Sequence, residues 1–218
     1  MRYEFDWSGV LDPLLWLRAL GVTLGYGAGS VVAGLALGVA GGTMLLSRRA
    51  VLRGLAGAFV QFFRCTPLMV QLVWFYYALP ILSGFSIPAA VAGGLALTLY
   101  MGAFCSEIVR AGVISIERGQ WDAARALGLG HWHMMRFVVL PQAARRMVPP
   151  FVNQSVLQLK NTSLLYVVAV PDLMYTSYTL TSRTYRPLET YTVVALIYFA
   201  VLFPATLAAK QLEARYDR

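Results

Sequence analysis

Four ionisable side chains, Arg64, Glu107, Arg110 and Lys160, stand inside or at the ends of long apolar runs of this 218-residue chain. A charge at bilayer depth costs about 2.5–3.5 kcal/mol on insertion scales unless a partner or a wetted cavity receives it, so such residues mark ion pairs or polar pathways. Glu107 and Arg110 are three apart and share a helix face, the spacing of a mutual ion pair. Arg64 precedes Thr66-Pro67 and has an architectural reading beside a functional one. Lys160 interrupts an apolar run and is followed by Asn161, Thr162 and Ser163, whose amide and hydroxyl groups can face a cavity. Two readings of Lys160 stand side by side: a pair with Glu107 across a helix bundle, or a positive field at a polar site. Gln71, Glu107, Lys160, Asn161 and Thr162 are the candidates for lining a pathway.

Bond-making chemistry has no comparable support. The sequence contains no nucleophile-base-acid arrangement, and His131 and His133 lack an accompanying cysteine or carboxylate cluster of metal-site spacing. Cys65 and Cys105 lie in or beside apolar runs and read as small buried thiols. No cofactor or metal is expected in this chain.

Membrane helices must position the candidates. Hydrophobic residues make up 58% of the chain and charged ones 13%, with a mean hydropathy of +0.62, too apolar for a soluble domain of this length. Charges are absent between Arg18 and Arg48, between Arg64 and Glu107, and between Glu189 and Lys210. A helical crossing needs about 20 apolar residues, so the second gap holds two, with Pro80, Gly84 and Pro88 supplying the turn. The expectation is an all-α integral membrane protein with one domain over 1–218 and five spans, at about 20–46, 60–82, 88–111, 146–170 and 189–210. Residues 1–17, with Trp7 and Trp16, read as an outer interfacial helix in contact with membrane lipid. Gly34, Gly38, Gly41 and Gly42 in the first span allow close helix approach.

The net charge of +8 could suggest nucleic acid, but the basic residues follow the positive-inside rule instead. Arg48, Arg49 and Arg53 follow span one, Arg118 to Arg146 follow span three, and Lys210, Arg215 and Arg218 follow span five. The amino terminus is thereby expected outside and the carboxyl terminus in the cytoplasm.

A polar, basic insert, 119–141, separates spans three and four. Good helix formers run up to Gly128, a residue suited to a left-handed cap, and a second stretch ends at Pro141. Two short helices meeting at Gly128 would form a protrusion with Trp121, Leu127 and Leu129 as its apolar tip and Asp122 and Arg125 as its polar rim. An ordinary amphipathic loop lying on the membrane surface is the other reading of the same spacing.

Asp122-Ala123-Ala124, Gly128, and Val138 with Leu140-Pro141 resemble the coupling signature of importer-type ABC transporter permeases, with Asp122 where glutamate is commoner. Phe63-Arg64-Cys65-Thr66-Pro67-Leu68, Ser106-Glu107-Ile108-Val109-Arg110 and Leu159-Lys160-Asn161-Thr162-Ser163-Leu164 resemble motifs of the polar amino acid branch, with Cys65 where glycine is usual. The start Tyr3 to Ser8 and Trp74-Phe75-Tyr76-Tyr77 look most like glutamate/aspartate importer permeases. The resemblance spans nearly the whole chain and implies the five-helix importer permease fold in a bacterial inner membrane. Its implied partners are a dimer of ATPase subunits that bind the ATP and Mg, a second permease subunit, and an extracytoplasmic solute-binding protein. It also implies a coupling helix in which Trp121, Asp122, Ala123, Ala124, Arg125, Leu127, Gly128 and Leu129 contact the ATPase. Resembling permeases often carry aspartate where this chain has Asn161, a change that favours an anionic substrate beside Lys160. The alternatives are an importer for a basic or amide amino acid, and a passive channel or membrane scaffold.

Overall fold

The computed structural model describes residues 3–216, which are almost entirely helical. Helix α1 (Pro13–Leu45) starts where Asp12 accepts hydrogen bonds from the Leu14 and Leu15 amides at 3.0 and 3.3 Å, with Pro13 preset for the first turn. This corrects the expected interfacial helix over 1–17. Residues 3–12 form no helix, because their polar groups are engaged elsewhere. The Tyr3 hydroxyl donates to the buried Glu189 carboxylate, the Asp6 amide donates to its Oε1 at 2.9 Å, and Arg186 donates to the Glu4 carbonyl at 2.6 Å. Trp16 is buried, its Nε1 donating to the Val10 carbonyl at 2.8 Å.

The expected span at 60–82 is also corrected. Helix α2 (Ala50–Cys65) and the following α3 (Leu68–Val73), with α4 (Leu79–Ser83) beyond it, meet at 105°. Pro67 cannot donate to the α2 ladder and pushes Thr66 into extended backbone (φ −103°, ψ 130°), so the apolar run folds at that point. Gln71 Nε2 bridges the bend, donating to the Phe63 and Thr66 carbonyls at 2.9 Å each.

Next come α5 (Ala89–Ile114), α6 (Arg118–Ala126), α7 (His131–Met134), α8 (Leu140–Asn161), α9 (Leu173–Thr184) and α10 (Pro187–Tyr216). Two five-residue π-helical turns, 74–78 and 135–139, lie just before Pro80 and Pro141. The wider turn accommodates a ring that would otherwise clash with the preceding carbonyl. Among the described residues α1, α5 and α10 are long and apolar enough to cross a bilayer, and the bent α2–α4 stretch is a further, broken candidate. Helix α8, which carries Arg145, Arg146, Lys160, Pro149 and Pro150, does not qualify by composition, so the expected count of five depends on it. A seven-residue 3-10 segment, Thr162–Val168, interrupts the chain after α8 and ends at Ala169 in left-handed backbone (φ 59°).

The core is the α1–α5 contact. Gly34 faces Met101, Gly38 faces Cys105, and Gly42 faces Val109, each so closely that a Cβ would overlap its neighbour. Without side chains on that stripe the two backbones meet directly. Cys105 is therefore buried, as expected, whereas Cys65 is exposed at the α2 end.

Candidate functional site

Helices α6 and α7 form a compact knob beyond the end of α5. Leu127 N donates to the Ala123 carbonyl at 3.1 Å, Gly128 N to the Arg125 carbonyl at 2.9 Å, and Leu129 N to the Ala124 carbonyl at 3.1 Å. This reversal requires Gly128 at φ +73°, a left-handed conformation that side chains disfavour. Ala124 is buried against Ile116, Met134 and Val139, and Trp121 and Leu129 pack on the same cluster. Trp121 and Leu129 are therefore half-buried and brace the knob, so of the three expected tip residues Leu127 projects furthest. The Trp121 indole donates to the Ile116 carbonyl at 3.3 Å. A half-buried indole pays for its polar end by such a bond, which spacing alone does not reveal.

Leu127 does project, at 79% exposure, beside an exposed Ala123 and the exposed Asp122–Arg125 pair at 3.0 Å. An exposed i,i+3 pair adds little stability, so its charges are free to set register with another surface. Trp132 and Phe137, at 68% and 64% exposure, extend the apolar surface of the knob and were not among the expected contacts. Large aromatics inside a polar insert were the signal available for them.

The expected pathway residues divide. Gln71 is buried and spent on the α2–α3 bend, and Thr162 is fully buried with its hydroxyl donating to the Leu159 carbonyl at 2.7 Å. Both side chains are thus buried and donate to backbone carbonyls, and the Gln71 Oε1 has no hydrogen-bond partner among the described residues. Glu107 accepts from Arg110 Nε at 2.9 Å and from its Nη2, which replaces the pair with Lys160 that the sequence left open. Lys160 is exposed, and no carboxylate lies within 4.0 Å of it among the described residues. Asn161 is half-buried, with Nδ2 donating to Gln158 Oε1 at 3.4 Å. Gln158, which sequence reasoning missed, is fully buried and ties three elements together by donating to Ser30 Oγ at 3.1 Å and the Leu97 carbonyl at 2.8 Å.

A groove of about 400 Å³ opens between α2, α5 and α8, and Arg64, Phe104, Glu107, Asn153 and Gln154 line it. Outside the spans, Asp172 caps α9 by accepting from the Tyr175 amide at 2.8 Å, and burial pushes its carboxyl up to about 6. Among the described residues no cluster of three or more His, Cys, Asp or Glu could hold a metal ion.

An all-helical membrane component with a braced polar knob is the class these features define. Residues 30–218 match the family described as "Binding-protein-dependent transport system inner membrane component". The chain is 36% identical to "Glutamate/aspartate import permease protein GltK" of Escherichia coli O6:H1, over 98% of this chain and 99% of that one. It is 35% identical to "Probable glutamine ABC transporter permease protein GlnP" of Bacillus subtilis, over 97% and 93%. A solved structure of an amino acid ABC transporter with histidines superposes with a TM-score of 0.92 at 32% identity, covering 98% of this chain and 100% of that chain. The chain belongs to this inner-membrane transport family, as a permease subunit of an ABC amino acid importer. It is a transport component and not an enzyme: the ATPase is a separate subunit.

Proposed function

We propose that this permease carries acidic amino acids, glutamate and aspartate, across the bacterial inner membrane. The observation that supports this substrate is Lys160, a cation without a carboxylate partner among the described residues, beside Asn161 rather than an acid. An unneutralised ammonium favours an anionic solute and disfavours a basic one. The similarity to GltK points the same way. Glutamine is the second reading, favoured by the similarity to GlnP and by the uncharged Asn161.

The knob is the coupling element in this reading. Leu127 docks into a groove of the ATPase, Asp122 and Arg125 fix its register, Ala123 and Ala124 form the helix behind them, and Gly128 makes the reversal possible. ATP and Mg bind to the ATPase dimer, and closure of that dimer pushes the knob. A second permease, equal or homologous, completes the pathway, and a solute-binding protein delivers substrate from the side where the amino terminus lies, with the carboxyl terminus in the cytoplasm. Competition for uptake of radiolabelled L-glutamate by L-aspartate, L-glutamine and L-arginine tests the substrate. Inhibition by aspartate alone supports the acidic reading, and inhibition by glutamine with none by aspartate replaces it.

A further inference from the structure

Arg48, Arg49 and Arg53 stand at the corner where α1 turns into α2, and all three are exposed. No carboxylate lies within 4.0 Å of any of them among the described residues. None is close in sequence either, because the chain has no aspartate or glutamate from Pro13 to Ser106. The corner is held instead by Ser47: its Oγ accepts from the Arg49 amide at 3.2 Å, and its carbonyl accepts from Arg53 Nη1 at 3.4 Å. The second bond draws the Arg53 guanidinium back toward the other two arginines. Three like charges rooted at one corner repel unless an anion lies among them.

Below the corner α2 carries an apolar face that no described residue covers. Val51, Leu55 and Phe62 are 73%, 62% and 60% exposed and recur at helical spacing, whereas Ala56, Val60 and Phe63 face the protein. Leu46, just before the corner, packs on the cluster of Val113, Ile116 and Ala124 that carries the knob, so the arginines and the knob occupy one end of the molecule. Basic residues set orientation wherever they fall on the cytoplasmic side. Cations at the head of an exposed apolar helix face match something narrower, a molecule with an anionic head and apolar tails. An acidic protein surface complements the charges alone.

We propose that the α1–α2 corner binds the phosphate headgroup of an anionic phospholipid, with an acyl chain lying along Val51, Leu55 and Phe62. That this is the cytoplasmic leaflet rests on the coupling reading of the knob above; the binding itself does not.

The tagged full-length permease, alone and co-purified with the ATPase, is delipidated in detergent and titrated with phosphatidylglycerol or phosphatidylcholine, and bound lipid is counted by native mass spectrometry. Wild type is compared with Arg48→Gln/Arg49→Gln/Arg53→Gln and with a charge-matched control, Arg145→Gln/Arg183→Gln/Lys210→Gln, whose side chains are exposed elsewhere. Wild type and control are expected to bind phosphatidylglycerol about tenfold or more tightly than phosphatidylcholine, and the corner variant to lose that preference. Arg48→Gln/Arg49→Gln keeps the bond from Arg53 to Ser47 and carries the test if the triple variant does not fold, with a loss of about threefold or more. An equal loss in the control, or no preference for phosphatidylglycerol in wild type, overturns the proposal. Unchanged lipid binding in the corner variant overturns it too, and loss of the ATPase from that variant would then assign the arginines to a protein surface. Failure of the ATPase to co-purify with wild type refutes the coupling reading, and the lipid titration of the permease alone still decides the proposal.

Discussion

Gln71 donates from one nitrogen to two carbonyls, those of Phe63 and Thr66, at 2.9 Å each, and so fastens α2 to α3 across the 105° bend. Replacing it with leucine leaves both acceptors unpaired inside the protein. Gln71→Leu is expected to destabilise the permease by about 2–4 kcal/mol. Thermal unfolding of the detergent-solubilised chain measures this, and an unchanged midpoint would show that the bend is held by proline alone.

Gly128 has open space where a Cβ would stand, so its substitutions act through backbone strain and not through collision. Gly128→Ala is expected to cost about 1–2 kcal/mol in the knob, and Gly128→Asn less, because asparagine tolerates left-handed backbone. Co-purification of the ATPase should then weaken in the order asparagine, alanine, valine. Equal recovery with all three would detach this turn from coupling.

Gly38 is the opposite case, since a side chain there meets Cys105. Gly38→Leu forces α1 and α5 apart and is expected to cost more than the usual 1–3 kcal/mol of overpacking. The amount of folded permease recovered from membranes reports it, and recovery at wild-type level would contradict the packing.

Asp172 titrates upward on folding, from the ordinary carboxylate range to about 6, because burial disfavours its charged form. The folded state then binds the proton more tightly than the unfolded state. Its contribution is therefore favourable at low pH and is lost as pH rises from the ordinary range through about 6. Asp172→Asn keeps an oxygen to accept from the Tyr175 amide and removes the titration. The variant is expected to melt higher than wild type above pH 6 and to match it near the acid limit; parallel melting curves for the two proteins would refute this.

Much of the architecture could be read from residue patterns. The apolar runs around α1, α5 and α10, the Pro88 turn and the Gly128 reversal follow from composition and backbone preference. The bend at Pro67 was hidden because apolar residues continue on both sides of it, and hydropathy does not register direction. The start of α1 was missed because Asp12-Pro13, a strong helix-opening pair, was read inside an aromatic interfacial stretch. In the site, Glu107–Arg110 was legible from spacing, since i,i+3 partners must share a face. Whether Trp121, Leu129, Gln71 and Thr162 face inward depends on neighbours far along the chain, which periodicity within one helix does not carry.

The side-chain-free stripe of α1 also constrains motion. With Gly34, Gly38 and Gly42 pressed on Met101, Cys105 and Val109, sliding one helix along the other would drive each glycine into the next large side chain. The two helices must travel as one rigid body. Any rocking of this subunit is then taken up where the backbone leaves regular helix, as at Thr66–Pro67, the two π-helical turns and the Ala169 kink, and not between the central pair.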